Sequence, residues 1–343
     1  RDSPMRRLPS WIRLLGPFLG LFVVIAVFSL LTWWKGTLGD FLSTDNFNLI
    51  LTHATITAVA GLGMTIIMIM GGIDLSVGYV ISLVTVLMML AFRWTVQGGG
   101  AATGSGWPGL VALGMGLFTG AMAGFANGLV ITRLKVVPFV ATLAMLGIAR
   151  GIGIYLTDGG RLSFPPGAEI PAWMRALGSI DPANFFGIQV MSYSVLSVVL
   201  LSIVVALLLR YTVLGRHCFA IGSNEATARL CGIRVDRTKL LLYTLSGLLI
   251  GWAGVIQFCR SNAGSHDVAA GLELSVIAAV VIGGGSLTGG EGTVLGTILG
   301  ALIITILENG CSRLNLQPDV RYVIIAGIIL SVAALNSWRQ EKT

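Results

Sequence analysis

Long apolar runs recur along nearly the whole chain, with only short polar breaks between them. A helix needs about 20 apolar residues to cross roughly 30 Å of hydrocarbon, so each run predicts a membrane span. The runs place helices over about Leu14–Trp34, Leu49–Met70, Val77–Phe92, Gly109–Thr132, Val136–Leu156, Ser192–Leu209, Leu240–Phe258, Ala269–Gly283, Val294–Leu307 and Val320–Leu335, which makes about ten spans. No room remains for a sizeable soluble domain. The expected fold is all-α and polytopic, one membrane domain in which 14–34 is a first span, 49–156 a first repeat half, 211–239 a cytoplasmic loop and 240–335 a second half.

Val77–Phe92, Ala269–Gly283 and Val294–Leu307 look too short to cross alone, and each abuts a glycine-rich break such as GGID or GGGSLTGGEG. Broken or re-entrant segments are expected there, because non-helical backbone at membrane depth is tolerated only when buried in protein or lining a wet cavity. Tight turns between short helices would give the same pattern.

Two pairs of segments match in order. GIDLSV at Gly72–Val77 parallels GLELSV at Gly271–Val276, and RLKVVP at Arg133–Pro138 parallels RLNLQP at Arg313–Pro318. The first member of each pair falls on the cytoplasmic side of the predicted topology and the second outside, as in an inverted repeat of the kind alternating-access transporters use.

Composition and charge narrow the classes. The chain is 55% hydrophobic and only 11% charged, with a mean hydropathy of +0.88, against about 25% charged for soluble domains. Its formal charge of +7 comes from 22 Lys and Arg without any aromatic-interleaved basic domain, so nucleic acid is not an expected partner. With the amino terminus inside, fourteen of these residues fall on the cytoplasmic side and seven outside, while Arg150 lies within a span; the bias predicts both termini inside. The first run follows Arg1, Arg6, Arg7 and Arg13 like a signal peptide, but it is too long and lacks a cleavage site, so it is expected to be retained. Cys218, Cys231, Cys259 and Cys311 form no CxxC pair and have no histidine at ligand spacing; they read as packing residues, with no disulfide framework, metal or cofactor implied.

A few polar residues fall within or beside spans. Asp74 and Ser76 lie in the GGIDLSVG break, where the carboxylate can cap exposed backbone or belong to a pathway. Glu273 is its repeat counterpart, expected near the outer surface, with the same two readings. Glu308 and Asn309 close the ninth span and Asn127 sits inside the fourth; interhelical hydrogen bonding accounts for them, and solute contact is the alternative. The rhythm Gly292, Gly296, Gly300 suits close helix packing, and Trp33 and Trp34 suit an interfacial anchor.

Catalytic signatures are missing from the sequence. GGGSLTGG at Gly283–Gly290 lacks the lysine of a phosphate loop, no GxSxG elbow occurs, and His53, His217 and His266 are far apart. The chain is not expected to be an enzyme or to hydrolyse ATP alone.

The most informative stretch is the basic loop Arg210–Lys239. Within it, Asn224–Ile233 (NEATARLCGI) opens on a capping residue and closes at Cys231 and Gly232, which predicts a short helix on the membrane surface whose alanines and Leu230 offer a small, smooth face. Here the sequence resembles the permease subunits of bacterial binding-protein-dependent ABC importers, specifically the ribose, xylose, galactose and autoinducer-type branch. The motif is the Glu-Ala coupling loop GRHCFAIGSNEATARLCGI, and GGIDLSVG at Gly71–Gly78, NGLVITRLKVVPFVATL at Asn127–Leu143 and AAVVIGGGSLTGGEGTVLGTILGALII at Ala278–Ile304 agree with it. The likeness runs from about Asn46 to Leu335; the insert Gly98–Gly106 and the outside segment Ser163–Ser192 depart from it.

The resemblance implies a permease in the bacterial inner membrane that imports a monosaccharide such as ribose by alternating access. It implies a separate ABC ATPase docked on Gly222, Asn224, Glu225, Ala226, Ala228, Gly232 and Ile233, a second copy or related permease around a central pathway, a periplasmic or lipid-anchored solute-binding protein, and lipid around the whole. Permeases for branched-chain amino acids or nucleosides share the coupling loop. An ion-coupled secondary transporter would need mid-membrane carboxylates and no large basic loop, and a structural scaffold would not transport at all.

Overall fold

The computed structural model describes residues 10–97, 106–181, 184–185, 188–189, 191–317, 323 and 326–327. Its helices are α1 (Ser10–Trp34), α2 (Leu38–Phe41), α3 (Thr44–Ile69), α4 (Val77–Thr95), α5 (Trp107–Arg133), α6 (Pro138–Thr157), α7 (Ala172–Gly178), α8 (Tyr193–Tyr211), α9 (Val213–Ser223), α10 (Glu225–Leu230), α11 (Val235–Ser261), α12 (Leu272–Ile282) and α13 (Val294–Arg313). Strand β1 (Arg161–Ser163) pairs antiparallel with β4 (Ala263–Ser265), and β2 (Asn184–Phe185) with β3 (Ile188–Gln189). Among the described residues, eight helices (α1, α3, α4, α5, α6, α8, α11 and α13) are long and apolar enough to cross a membrane, and α12 is a shorter apolar helix. Nine of the ten predicted spans thus correspond to helices. The tenth, 320–335, lies almost wholly outside the described residues, as do Arg1, Arg6 and Arg7 and most of the glycine-rich insert.

Helix starts follow local chemistry. Ser43 Oγ accepts from the Asn46 amide to begin α3, Thr293 Oγ1 accepts from the Gly296 amide to begin α13, and Pro138 opens α6 where its missing N–H costs nothing. α3 is the central helix: residues 54–70 are all buried, because α8, α11, α12 and α13 surround it. α1 instead turns Phe18, Leu19, Phe22 and Leu30 outward, the surface expected against lipid, and ends in exposed Trp33 and Trp34.

The most extensive helix pair is α5 against α11. Gly116, Gly120, Gly124 and Gly128 repeat every four residues along α5, and a Cβ on Gly120 or Gly124 would collide with the backbone of Gly247. Backbones approach this closely in lipid only where small residues line the seam. α12 and α13 meet in the same way, with Gly296 against the Gly283 carbonyl and Gly300 against that of Ala279, so the glycine rhythm serves packing.

Two of the helices expected to be short are full-length: α4 has 19 residues and α13 has 20. Their polar ends read as terminations, but those residues stay helical because they find partners. Arg93 Nε and Nη2 donate to the Ser163 carbonyl at 3.0 and 2.6 Å. Arg313 Nε and Nη2 and Asn309 Nδ2 all donate to Asn46 Oδ1, at 3.0, 2.7 and 3.0 Å. Glu308 and Asn309 therefore lie within α13 rather than closing it. Only α12, with 11 residues, is too short to cross alone.

The two matched breaks meet inside the bundle. After α3 the chain turns at Gly71 (φ +78°) and runs without helix to Ser76. Thr142 Oγ1 donates to the Ile73 carbonyl (3.1 Å) and Asn127 Nδ2 to Ser76 Oγ (3.2 Å). Asn127 is six residues before the end of α5, so α4 begins about 9 Å inside the bundle. From the opposite end, the segment after α11 descends along α4: Thr85 Oγ1 donates to the Ser265 carbonyl, and the Ala269 amide to Ser82 Oγ (3.1 Å). Gly78 then has no room for a Cβ, because the Ala269 carbonyl and Glu273 Oε2 press against it. Glu273 is thus not at an outer surface, as its place before a span suggested; residues 263–271 dip back and carry it to the start of α4.

Candidate functional site

At the end of the bundle where α3 stops, three segments converge on one glycine. Thr212 Oγ1 accepts from the Gly215 amide to start α9, and Cys218 Sγ on α9 lies 3.5 Å from the Ile66 carbonyl of α3. At Gly222, a Cβ would run into the Ile69 carbonyl and would also meet the Gly290 amide, which itself donates to Ile69 O at 2.8 Å. The glycine loop 283–292 is therefore a seat for the end of α9.

The chain then reverses through Asn224, whose extended backbone frees its Oδ1 to accept from the Thr227 amide at 2.9 Å and cap α10. Glu225 follows in the first turn, where the helix dipole favours a carboxylate. α10 ends when the Gly232 amide donates to Arg229 O (3.0 Å) and the Ile233 amide to Ala228 O (3.1 Å), a pattern that requires the positive φ of +82° at Gly232. The predicted helix is present but shorter than Asn224–Ile233. α9, read as loop, is a helix packed on α3, and α11 starts at Val235 rather than Leu240.

The inner face of α10 is Ala228, buried with Ile221 and Val235 and flanked by Ala220 and Ile233. Its outer face is Ala226, Thr227 and Leu230, the last 88% exposed. The two alanines of the motif thus point in opposite directions. Glu225 accepts from Arg229 Nη2 (3.0 Å) and Lys239 Nζ (2.7 Å), and Arg229 also donates to Asp236 Oδ1 at 2.6 Å. Partial burial works against ionisation of Glu225, but the hydrogen bonds from Lys239 and Arg229 outweigh it and hold the carboxyl below its ordinary range. This ionic staple was not anticipated, although the i,i+4 spacing of Glu225 and Arg229 was a legible signal.

The polar residues of the breaks form a separate group. Asp74 Oδ1 accepts from the Ser76 amide (2.8 Å) and Ser76 Oγ (2.6 Å), so the carboxylate caps exposed backbone, and Asn127 joins through Ser76. Glu273 Oε2 is buried without a partner, while Ser275 Oγ, two residues on, donates to Glu308 Oε1 at 3.2 Å. Cys218, Cys259 and Cys311 are buried packing residues, but Cys231 is exposed at the end of α10, against expectation. Among the described residues no three His, Cys, Asp or Glu side chains gather as metal ligands.

Comparison with known proteins agrees with this architecture. Residues 46–333 match the family model described as branched-chain amino acid transport system / permease component. The chain is 31% identical over 336 residues to the ribose import permease protein of Escherichia coli, covering 96% of each, and 35% identical over 321 residues to that of Bacillus subtilis, covering 94% of this chain and 91% of the relative. It is 30% identical over 318 residues to the fructose import permease protein of Rhizobium meliloti, covering 92% and 84%. No solved structure matches. With a bundle of membrane-spanning helices, an outward-facing elbow at one end and a family match over most of its length, the chain belongs to the branched-chain amino acid transport system / permease component family as a multi-pass membrane permease.

Proposed function

We propose that this permease is the channel subunit of an ATP-driven importer for a monosaccharide, and that the α9–α10 elbow is where a separate ATPase engages it. The observation that carries the reading is the outward face of α10: Ala226, Thr227 and Leu230 stand free of the bundle while Glu225, Arg229, Asp236 and Lys239 tie the helix to α11. A small, rigid, partly apolar knob of this kind fits a groove on another protein. The end that carries it also carries Arg133, Arg216, Arg229, Arg234 and Arg237, so it faces the cytoplasm and both termini lie on that side of a bacterial inner membrane. The ribose and fructose specificities named for the relatives point to a monosaccharide.

In this mechanism ATPase closure pushes α10, and the push passes through the staple into α11, which packs on α3, α4 and α5 and so on both breaks. A second permease of the same or a related kind completes the pathway, and a periplasmic or lipid-anchored binding protein delivers the solute. The test is uptake into sealed vesicles with the co-purifying subunits: ribose accumulation that needs ATP and survives collapse of ion gradients is expected, whereas accumulation driven by a gradient without ATP would make the chain a secondary transporter.

A further inference from the structure

Arg150 lies well inside the 20-residue helix α6, about 18 Å from the cytoplasmic end at Pro138 and about 11 Å from the other end at Thr157. Its partner gives a second reckoning of the depth. The guanidinium lies over the Tyr79 ring, 5.6 Å from the centroid, and Tyr79 is three residues past Ser76, so about 14 Å inside the same end. A helical side chain leans toward its own N-terminus, so the cation leans away from the nearer interface and stays at membrane depth.

Arg150 is nevertheless exposed. Among the described residues its five N–H donors meet no acceptor, and no carboxylate pairs with it. Beside it α6 presents Ala144, Gly147 and Gly151, all exposed, and a Cβ on either glycine would meet nothing within 4 Å. The lipid-facing side of α1 is built differently, from Phe18, Leu19, Phe22 and Leu30. A cation at this depth does not face hydrocarbon; it faces water or protein. The same helix borders the first break, since Thr142 Oγ1 donates to the Ile73 carbonyl and Tyr79 stands in the first turn of α4. Non-helical backbone at membrane depth and an unpaired cation therefore occur side by side, as they do along a translocation path.

We infer that this face of α6 is a wall of the solute pathway, closed by the second permease, and that Arg150 takes the hydroxyls of the solute as it passes. The inference rests on the importer reading and extends it to named residues. The Tyr79 ring fixes the guanidinium plane and leaves its donors free, while Gly147 and Gly151 leave space in front of it. Water solvates the cation between passages, and a polyol offers oxygens in its place. Contacts that are exchanged in this way suit a site that must release what it holds.

The test uses the full chain with its second permease, ATPase and binding protein in proteoliposomes. Gly147→Cys and Phe22→Cys, each on a Cys231→Ser background, are treated with a membrane-impermeant thiol reagent with and without ATP. Only a hydrated thiol ionises and reacts, so Gly147→Cys should be modified at least about tenfold faster than Phe22→Cys in one of these states. Similar rates, or an inert Gly147→Cys, overturn the wall whatever happens to transport. Sugar moved per ATP hydrolysed is then compared with ribose, fructose and arabinose as probes. Arg150→Leu should lower it about tenfold, and Arg150→Lys, which keeps the charge with fewer donors, should lower it less. A ratio unchanged in Arg150→Leu overturns the solute contact and leaves the importer reading standing. Absence of ATP-dependent uptake of every probe by the unaltered protein removes that reading and the solute contact with it, while the labelling still decides the wall.

Discussion

Lys239 Nζ donates a 2.7 Å hydrogen bond to Glu225 Oε2, joining the first turn of the short exposed helix α10 to the start of α11. Arg229 completes the connection by holding both Glu225 and Asp236. α10 has only six residues and could not keep a fixed orientation alone. With these pairs, and with Ala228 seated among Ile221 and Val235, it moves as part of α11.

Glu225→Ala should release α10 without unfolding the bundle. The exposed pair with Arg229 contributes only about 0.2–1 kcal/mol and the Lys239 pair is part-buried at the rim of the bundle, so thermal stability should fall only modestly, while solute-stimulated ATP hydrolysis should collapse. Lys239→Ala should do the same more weakly, because Arg229 still holds Glu225.

The staple should also respond to acid. Lys239 and Arg229 hold the Glu225 carboxyl below its ordinary value against the opposing effect of burial, so its stabilisation is present above the unfolded-state value of about 4.3 and is lost as pH falls through the lower folded value. The protection of α10 amides relative to intrinsic exchange at the same pH should hold at neutral pH and fall only in acid; Glu225→Gln should show low protection at both.

Gly222 and Gly232 should fail in different ways. Gly222→Val places a side chain against the Ile69 carbonyl and should push α9 off the end of α3, with loss of folded protein on purification. Gly232→Ala meets no atom within 4 Å and suffers only from φ +82°, so it should cost about 1 kcal/mol and leave the protein intact, seen as a small drop in melting temperature.

Much of this architecture was legible in the sequence, because apolar runs, helix caps and glycines act locally. Asn224 and Gly232 mark the ends of α10, and the runs mark nine helices among the described residues. What was not legible depends on partners distant in the chain. The ends of α4 and α13 continue only because Ser163 and Asn46 accept from their arginines, and Glu273 lies beside Gly78 only because residues 263–271 fold back. α9 was hidden because its apolar face, with Cys218 and Ile221, is short and sits in a basic loop.

Gly120→Leu should destabilise the α5–α11 seam by about 1–3 kcal/mol or more, since the side chain meets backbone that cannot rotate away. Gly114→Leu, on the same helix with nothing within 4 Å, is the control. Thermal melting in detergent should separate the two clearly.

Cross-linking from the outward face of α10 tests the docking claim most directly. Ala226→Cys and Leu230→Cys, each on a Cys231→Ser background, should form a bismaleimide product with the ATPase subunit in inner-membrane vesicles, and the yield should change with nucleotide. If those thiols react with small reagents yet never join an ATPase, while a cysteine at the opposite end of the bundle such as Trp34→Cys does, then α10 is not the element through which the gate is driven.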